Sequence, residues 1–128
     1  MWVAEQHFKA ERYWDAIQQL EPLLPHVKGE TRIRVLMLLA QAYFKNPKWI
    51  KRAEAVLLTL VGEAPRHGPA HLLLAEIYRG SGLVARARAS YTKVLTIQPD
   101  NEIARRGLAA LDSEAARSGG LRGLFKKR

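Results

Sequence analysis

His67 and His71 stand four residues apart in a segment of helical periodicity, a spacing at which two imidazoles can share a metal ion. A stable site needs further donors, and no Asp, Glu or Cys is placed to complete one. His7 and His26 stand alone. The chain has no cysteine, which removes thiolate nucleophiles, disulfides and Cys-based zinc sites together. No serine elbow, phosphate loop or paired-carboxylate pattern occurs. Gly80-Ser81-Gly82 follows helical sequence rather than a strand, so it reads as a tight turn. These residues predict a protein that is not an enzyme and holds no metal or cofactor.

Charge is the next candidate for chemistry. The net charge is +9, and residues 115–128 carry five of those charges on Arg117, Arg122, Lys126, Lys127 and Arg128 without an acid. A basic tail of this kind can touch an anionic membrane or nucleic acid. Elsewhere Lys45, Lys48, Lys51 and Arg52 gather near Trp49, and Arg86, Arg88 and Lys93 mark a second run. Acidic residues interleaved along the chain make both groups read as solvated helix surface rather than a nucleic-acid site.

The elements that would carry these residues are helical throughout. With 48% hydrophobic and 26% charged residues in 128, the chain has the balance of one ordered domain with its own core. No apolar run reaches the roughly 18 residues of a membrane span, and the start shows no signal-peptide pattern, consistent with a cytoplasmic protein. From Gly68 to Pro99, Leu74-Ala75, Tyr78, Gly82, Ala87, Tyr91 and Pro99 describe a helix, a turn and a second helix. A near copy precedes it. Ala53 and Ala87, Leu57 and Tyr91, and Pro65 and Pro99 are each 34 residues apart, whereas Tyr43 and Tyr78 are 35 apart. One extra residue therefore lies in the Asn46–Trp49 turn.

The preceding copy has a helix of about residues 30–45 with Leu36, Leu39, Ala40 and Tyr43 inward. Asn46 can cap the following helix, and Pro47 suits its first turn. Before it, Ala16, Leu20 and Leu23 repeat the second-helix pattern from Tyr13, with Pro22 bending that helix and Pro25 ending it. The same spacing puts Val3-Ala4 within a first helix whose opening lies upstream of Met1, so the chain reads as a fragment of a longer protein. Asp100 or Asn101 can cap a last helix with Ile103, Leu108 and Leu111 inward and Arg105, Arg106, Asp112 and Glu114 outward. Ser118-Gly119-Gly120 is predicted to break it.

This pattern, a Leu-Ala-x-x-Tyr helix paired with an Ala-x-x-x-aromatic helix and closed by Pro, resembles the tetratricopeptide repeat. The resemblance implies an all-α solenoid of antiparallel helix pairs, about two and a half repeats with a C-terminal capping helix. Its divisions are residues 1–29 (truncated first repeat), 30–66 (second), 67–100 (third) and 101–118 (cap). Residues 119–128 form a basic, flexible tail. A weaker resemblance joins Tyr-Trp-Asp-Ala-Ile (13–17), Lys-Asn-Pro-Lys-Trp (45–49) and the closing Gly-Leu-Phe-Lys-Lys-Arg (123–128). It is to tetratricopeptide segments that follow a J domain in some bacterial proteins, though the His-Pro-Asp tripeptide of the J domain itself is absent.

The resemblance implies a non-catalytic scaffold whose first helices line a concave groove for an extended peptide or a partner helix. The groove line is then Arg34, Met37, Gln41, Phe44 and Lys45 in the second repeat, Leu72, Glu76 and Arg79 in the third, and Arg106 in the cap. Some family members grip a chaperone's acidic C-terminus with Lys and Asn at positions that read Met37 and Gln41 here, so that clamp is not kept. An apolar floor rimmed by cations suits apolar anchors with acidic flanks, in the helix-in-groove manner. Two other partnerships are open: docking of the basic tail on membrane or nucleic acid, and self-association through Trp2 and Phe8.

Overall fold

A computed structural model of the chain describes residues 12–126, with side chains to residue 116. Val3-Ala4, His7 and the Trp2/Phe8 face therefore lie outside the described residues. The chain divides into two compact units, residues 1–70 and residues 71–128. The described residues form six α-helices and no strand. They are α1 (Tyr13–Leu20), α2 (Gly29–Phe44), α3 (Ile50–Glu63), α4 (Gly68–Gly80), α5 (Val84–Ile97) and α6 (Glu102–Lys126).

In the first unit, α2 packs on both α1 and α3. Pro22 tightens the helix where the sequence predicts a bend, and the helical path ends one residue after Pro25, at His26. After Leu20 the backbone tightens into a 3-10 segment, Glu21–His26, since proline removes the donor that an α-turn would use. Leu23, expected in the core, is half-buried on this tighter turn. The Tyr43 hydroxyl donates to Glu21 and ties the turn to the end of α2. The ring of Tyr43 is buried, and that burial, helped by the Glu21 carboxylate, pushes its pKa up to about 12. Asn46 accepts from the Lys48 N–H at 2.9 Å, so Asn46-Pro47 starts a one-turn 3-10 element, Pro47–Trp49, that leads into α3.

Arg32 braces the α2–α3 pair at its open end. Its guanidinium donates to both Glu63 carboxylate oxygens at 2.8–3.1 Å and to the Leu24 carbonyl at 3.2 Å. These bonds raise the Arg32 pKa and hold the Glu63 carboxyl below the usual carboxylate range. Ala40 and Ala53 have no exposed surface, as expected of small residues where two helices cross.

In the second unit, the turn after α4 is a two-bond helix stop. The Leu83 N–H reaches back to the Tyr78 carbonyl at 2.8 Å, and the Gly82 N–H reaches the Arg79 carbonyl at 3.1 Å. This geometry puts Gly82 at φ 77°, a region where a side chain is strained. Asn101 rather than Asp100 caps α6, accepting from the Ala104 N–H at 2.9 Å.

α6 corrects two expectations. Ile103, expected inward, is 55% exposed; the buried line is Ala104, Gly107 and Leu111, one helical face apart by three and four residues. The ring of Tyr91 on α5 lies against Gly107 so closely that no side chain fits there. A bulky residue cannot share that contact, so the packed line needs glycine at 107. The helix also continues through Ser118-Gly119-Gly120 to Lys126. Glycine in a helix interior costs about 1 kcal/mol relative to alanine but, unlike proline, breaks no hydrogen bond.

Candidate functional site

α2 carries one wall of a groove in the first unit. Ile33 and Arg34 lie three and four residues after Glu30 and four and three before Met37, so the four share one helix face. Ala64 and His67 close the opposite side, giving a hollow of about 470 Å³. Pro65 ends α3 and returns the chain to bring that second wall into place. Ile33, Met37 and Ala64 supply apolar surface, while Glu30, Arg34 and His67 supply polar groups. His67 is further fixed by its own backbone, since Nδ1 accepts from the Ala70 N–H at 3.2 Å and caps the start of α4.

Of the residues expected to line a binding face, Arg34 and Met37 meet in this hollow. Gln41 and Phe44 are half-buried farther along α2 and are not among its lining residues. Lys45 belongs to a different hollow, described below. Glu30, Ile33, Ala64 and His67 were not singled out by sequence. Ile33 and Glu30 could have been found by stepping back from Met37 by four and seven, but the Ala64–His67 wall depends on the path of the chain around Pro65.

In the second unit, Leu72, Glu76 and Arg79 lie on one face of α4, and Arg106 is exposed on α6. Arg79 is not an uncommitted groove cation. It donates to the Glu114 carboxylate at 2.9 Å, which with Tyr91 raises its pKa, and so braces α4 against α6. Arg88 makes a similar brace to Asp112 at 2.7 Å. The Arg86 guanidinium lies 5.9 Å from the Tyr78 ring centroid. Val84, Ala85, Arg88, Ala89, Thr92 and their neighbours form a shallow trough of about 770 Å³ along α5.

Another hollow of the first unit is aromatic and basic. Its walls are Arg12, Tyr13, Trp14 and Asp15 from the start of α1, and Lys45, Asn46, Pro47 and Trp49 from the turn before α3, enclosing about 420 Å³. The Trp14 and Trp49 ring centroids are 5.5 Å apart at a tilt of 33°. Tyr43 meets Trp49 edge-on, with centroids 6.2 Å apart and ring planes at 82°. Sequence reading placed Trp49 with the basic residues, but nothing in the spacing placed Trp14 there.

No family model and no curated protein matches the sequence. Among solved structures, the chain is similar to the first tetratricopeptide repeat of Spaghetti (RPAP3) bound to the HSP90 peptide SRMEEVD. The TM-score is 0.78 at 20% identity, over 89% of this chain and 88% of that one. At that identity the likeness is one of fold. The fold is the all-α tetratricopeptide-repeat arrangement that the Leu-Ala-x-x-Tyr and Ala-x-x-x-aromatic pattern implies. Among the described residues no helix is long and apolar enough to cross a membrane.

Proposed function

We propose that this tetratricopeptide-repeat fold serves as a non-catalytic interaction module that holds a short peptide or helix of a partner protein. The observation that carries the reading is the α2 groove, an apolar strip of Ile33, Met37 and Ala64 set between Glu30, Arg34 and His67. About 470 Å³ accommodates one or two apolar side chains, and the flanking polar groups would orient the backbone that bears them. The contact set is centred on Arg34 and Met37, joined by Gln41 and Phe44 along α2, while Lys45 lines the hollow beside Trp14 and Trp49 instead. In the second unit, Leu72, Glu76 and Arg106 are a separate set of candidate contacts on α4 and α6, with Arg79 held by Glu114. With Glu30 and Arg34 both at the rim, the groove favours an apolar anchor over a run of acids.

A cytoplasmic co-chaperone role is the most specific form of this reading. It is supported by the weak J-domain-protein resemblance and by a structural relative bound to an HSP90 peptide. The acidic peptide of that relative is a useful probe, because Met37 and Gln41 stand at the Lys and Asn positions of the family's chaperone-tail clamp. Titration calorimetry of the full chain with SRMEEVD is expected to show weak binding, and Met37→Lys with Gln41→Asn is expected to strengthen it about tenfold or more, near the 1.5–3 kcal/mol of hydrogen bonds to charged groups. A peptide array rich in Leu and Met anchors should yield binders that Met37→Glu abolishes. If array binding survives Met37→Glu but is lost on deleting residues 119–128, the basic tail is the binding element and the groove reading fails.

A further inference from the structure

We propose that the hollow between Trp14 and Trp49 is a stacking site for a base of single-stranded nucleic acid, distinct from the peptide groove on α2. Trp14 is 52% exposed although its ring lies 5.5 Å from that of Trp49, so one face of a large aromatic side chain is presented to solvent. Trp49 also meets the buried Tyr43 ring edge-on, a second aromatic contact that limits the movement of its indole. A space of about 420 Å³ beside it has room for a planar base.

The charge around this platform has the sign that a phosphate backbone requires. Arg12 and Lys45 line the hollow, and Lys48 and Lys51 follow on the same turn and the first residues of α3, while Arg52 is turned to Tyr43, whose hydroxyl donates to Glu21. The acid among the lining residues is Asp15, which already receives a hydrogen bond from Arg12 at 3.0 Å. A base uses the open indole face while its phosphates use the lysines, and stacking of this kind is tolerant of sequence because every base has a π-face. An acidic peptide would engage the lysines and leave the indole unused. Read along the chain, the basic run near Trp49 is ordinary helix surface; the fold adds the second aromatic ring, 35 residues away, that a stacking site needs.

The test is fluorescence anisotropy of labelled oligouridine and oligothymidine, each about 12 nucleotides long, with the full chain at low salt. Trp14→Ala is expected to weaken binding of both about tenfold or more, and Trp14→Phe to restore part of it. Lys45→Ala with Lys48→Ala should lower the slope of log affinity against log salt by about 1.4, for two phosphate contacts on a single strand. Lys126→Ala, Lys127→Ala and Arg128→Ala together should leave the Trp14 dependence intact. A preference for the ribose or the deoxyribose strand would identify the source of the ligand. Three results overturn the proposal: no binding at low salt, unchanged affinity on Trp14→Ala with helicity by circular dichroism preserved, or displacement by polyglutamate as effective as by unlabelled oligonucleotide.

Discussion

Replacing Gly107 by alanine adds one methyl group at a close contact between α5 and α6. A Cβ on Gly107 would lie 2.5 and 2.7 Å from Cε1 and Cε2 of Tyr91, and closer still to Cζ. Carbon atoms pack best at about 3.5–4.0 Å, so the ring or the helix must move by roughly 1 Å. Neither has room, since Tyr91 is 2% exposed and Ala87, Val94, Ala104 and Leu111 of the same two helices are buried. Overpacking of this kind costs about 1–3 kcal/mol, and the better helix propensity of alanine returns up to about 1 kcal/mol. A net loss of about 1–2 kcal/mol is expected, read as a lower urea midpoint by circular dichroism with an unchanged slope. Gly62→Ala is the control. Nothing lies within 4 Å of a Cβ there and its φ is not positive, so it should stabilise by about 0.4–1 kcal/mol. Tyr91→Leu in the Gly107→Ala background should recover part of the loss. If Gly107→Ala proves as stable as Gly62→Ala, the close contact between α5 and α6 is wrong.

Three further outcomes follow from the same contacts. Because folding raises the Tyr43 pKa to about 12, its contribution is fully present below pH 10 and lost as pH rises towards 12. Denaturant titrations across that window should fall more steeply for the wild-type chain than for Tyr43→Phe, by on the order of 2 kcal/mol in total; parallel curves would remove the burial argument. Ala75→Leu or Ala87→Leu, at positions with no exposed surface, should each lose about 1–3 kcal/mol, and an unchanged melting temperature for both would undo the helix register. His67→Ala should lose about 0.5–2 kcal/mol with the α4 cap while His67→Asn retains it, so equal thermal stability of the two variants would contradict a capping role.

Much of the helix inventory was legible in the chain because helix packing writes a period into sequence. Leu36, Leu39, Ala40, Tyr43, Ala53, Leu57, Leu60, Leu74, Ala75, Tyr78, Ala87 and Tyr91 all read as inward positions, and all are buried. The punctuation was equally local. Asn46 and Asn101 cap with their own side chains, and Gly82 adopts the positive φ that its turn demands. Errors arose where a residue's role depends on a distant neighbour. Ile103 obeys the helical period yet lies outside, while Gly107 is buried against the Tyr91 ring. Arg79 sits on the expected face, yet its charge is taken up by Glu114, 35 residues away.

The candidate sites divide along the same line. Arg34 and Met37 could be placed on one face of α2 from their spacing, since neighbours along a helix are set by its 3.6-residue turn. The opposite wall at Ala64 and His67, and the meeting of Trp14 with Trp49, depend on how one helix is returned against another. By itself the sequence determined an all-α repeat of paired helices and the residues that each helix turns inward, because those follow from short-range periodicity and local capping. Only the tertiary structure decided which exposed residues share a hollow and which charges are already paired, because those depend on distances between side chains far apart in the chain.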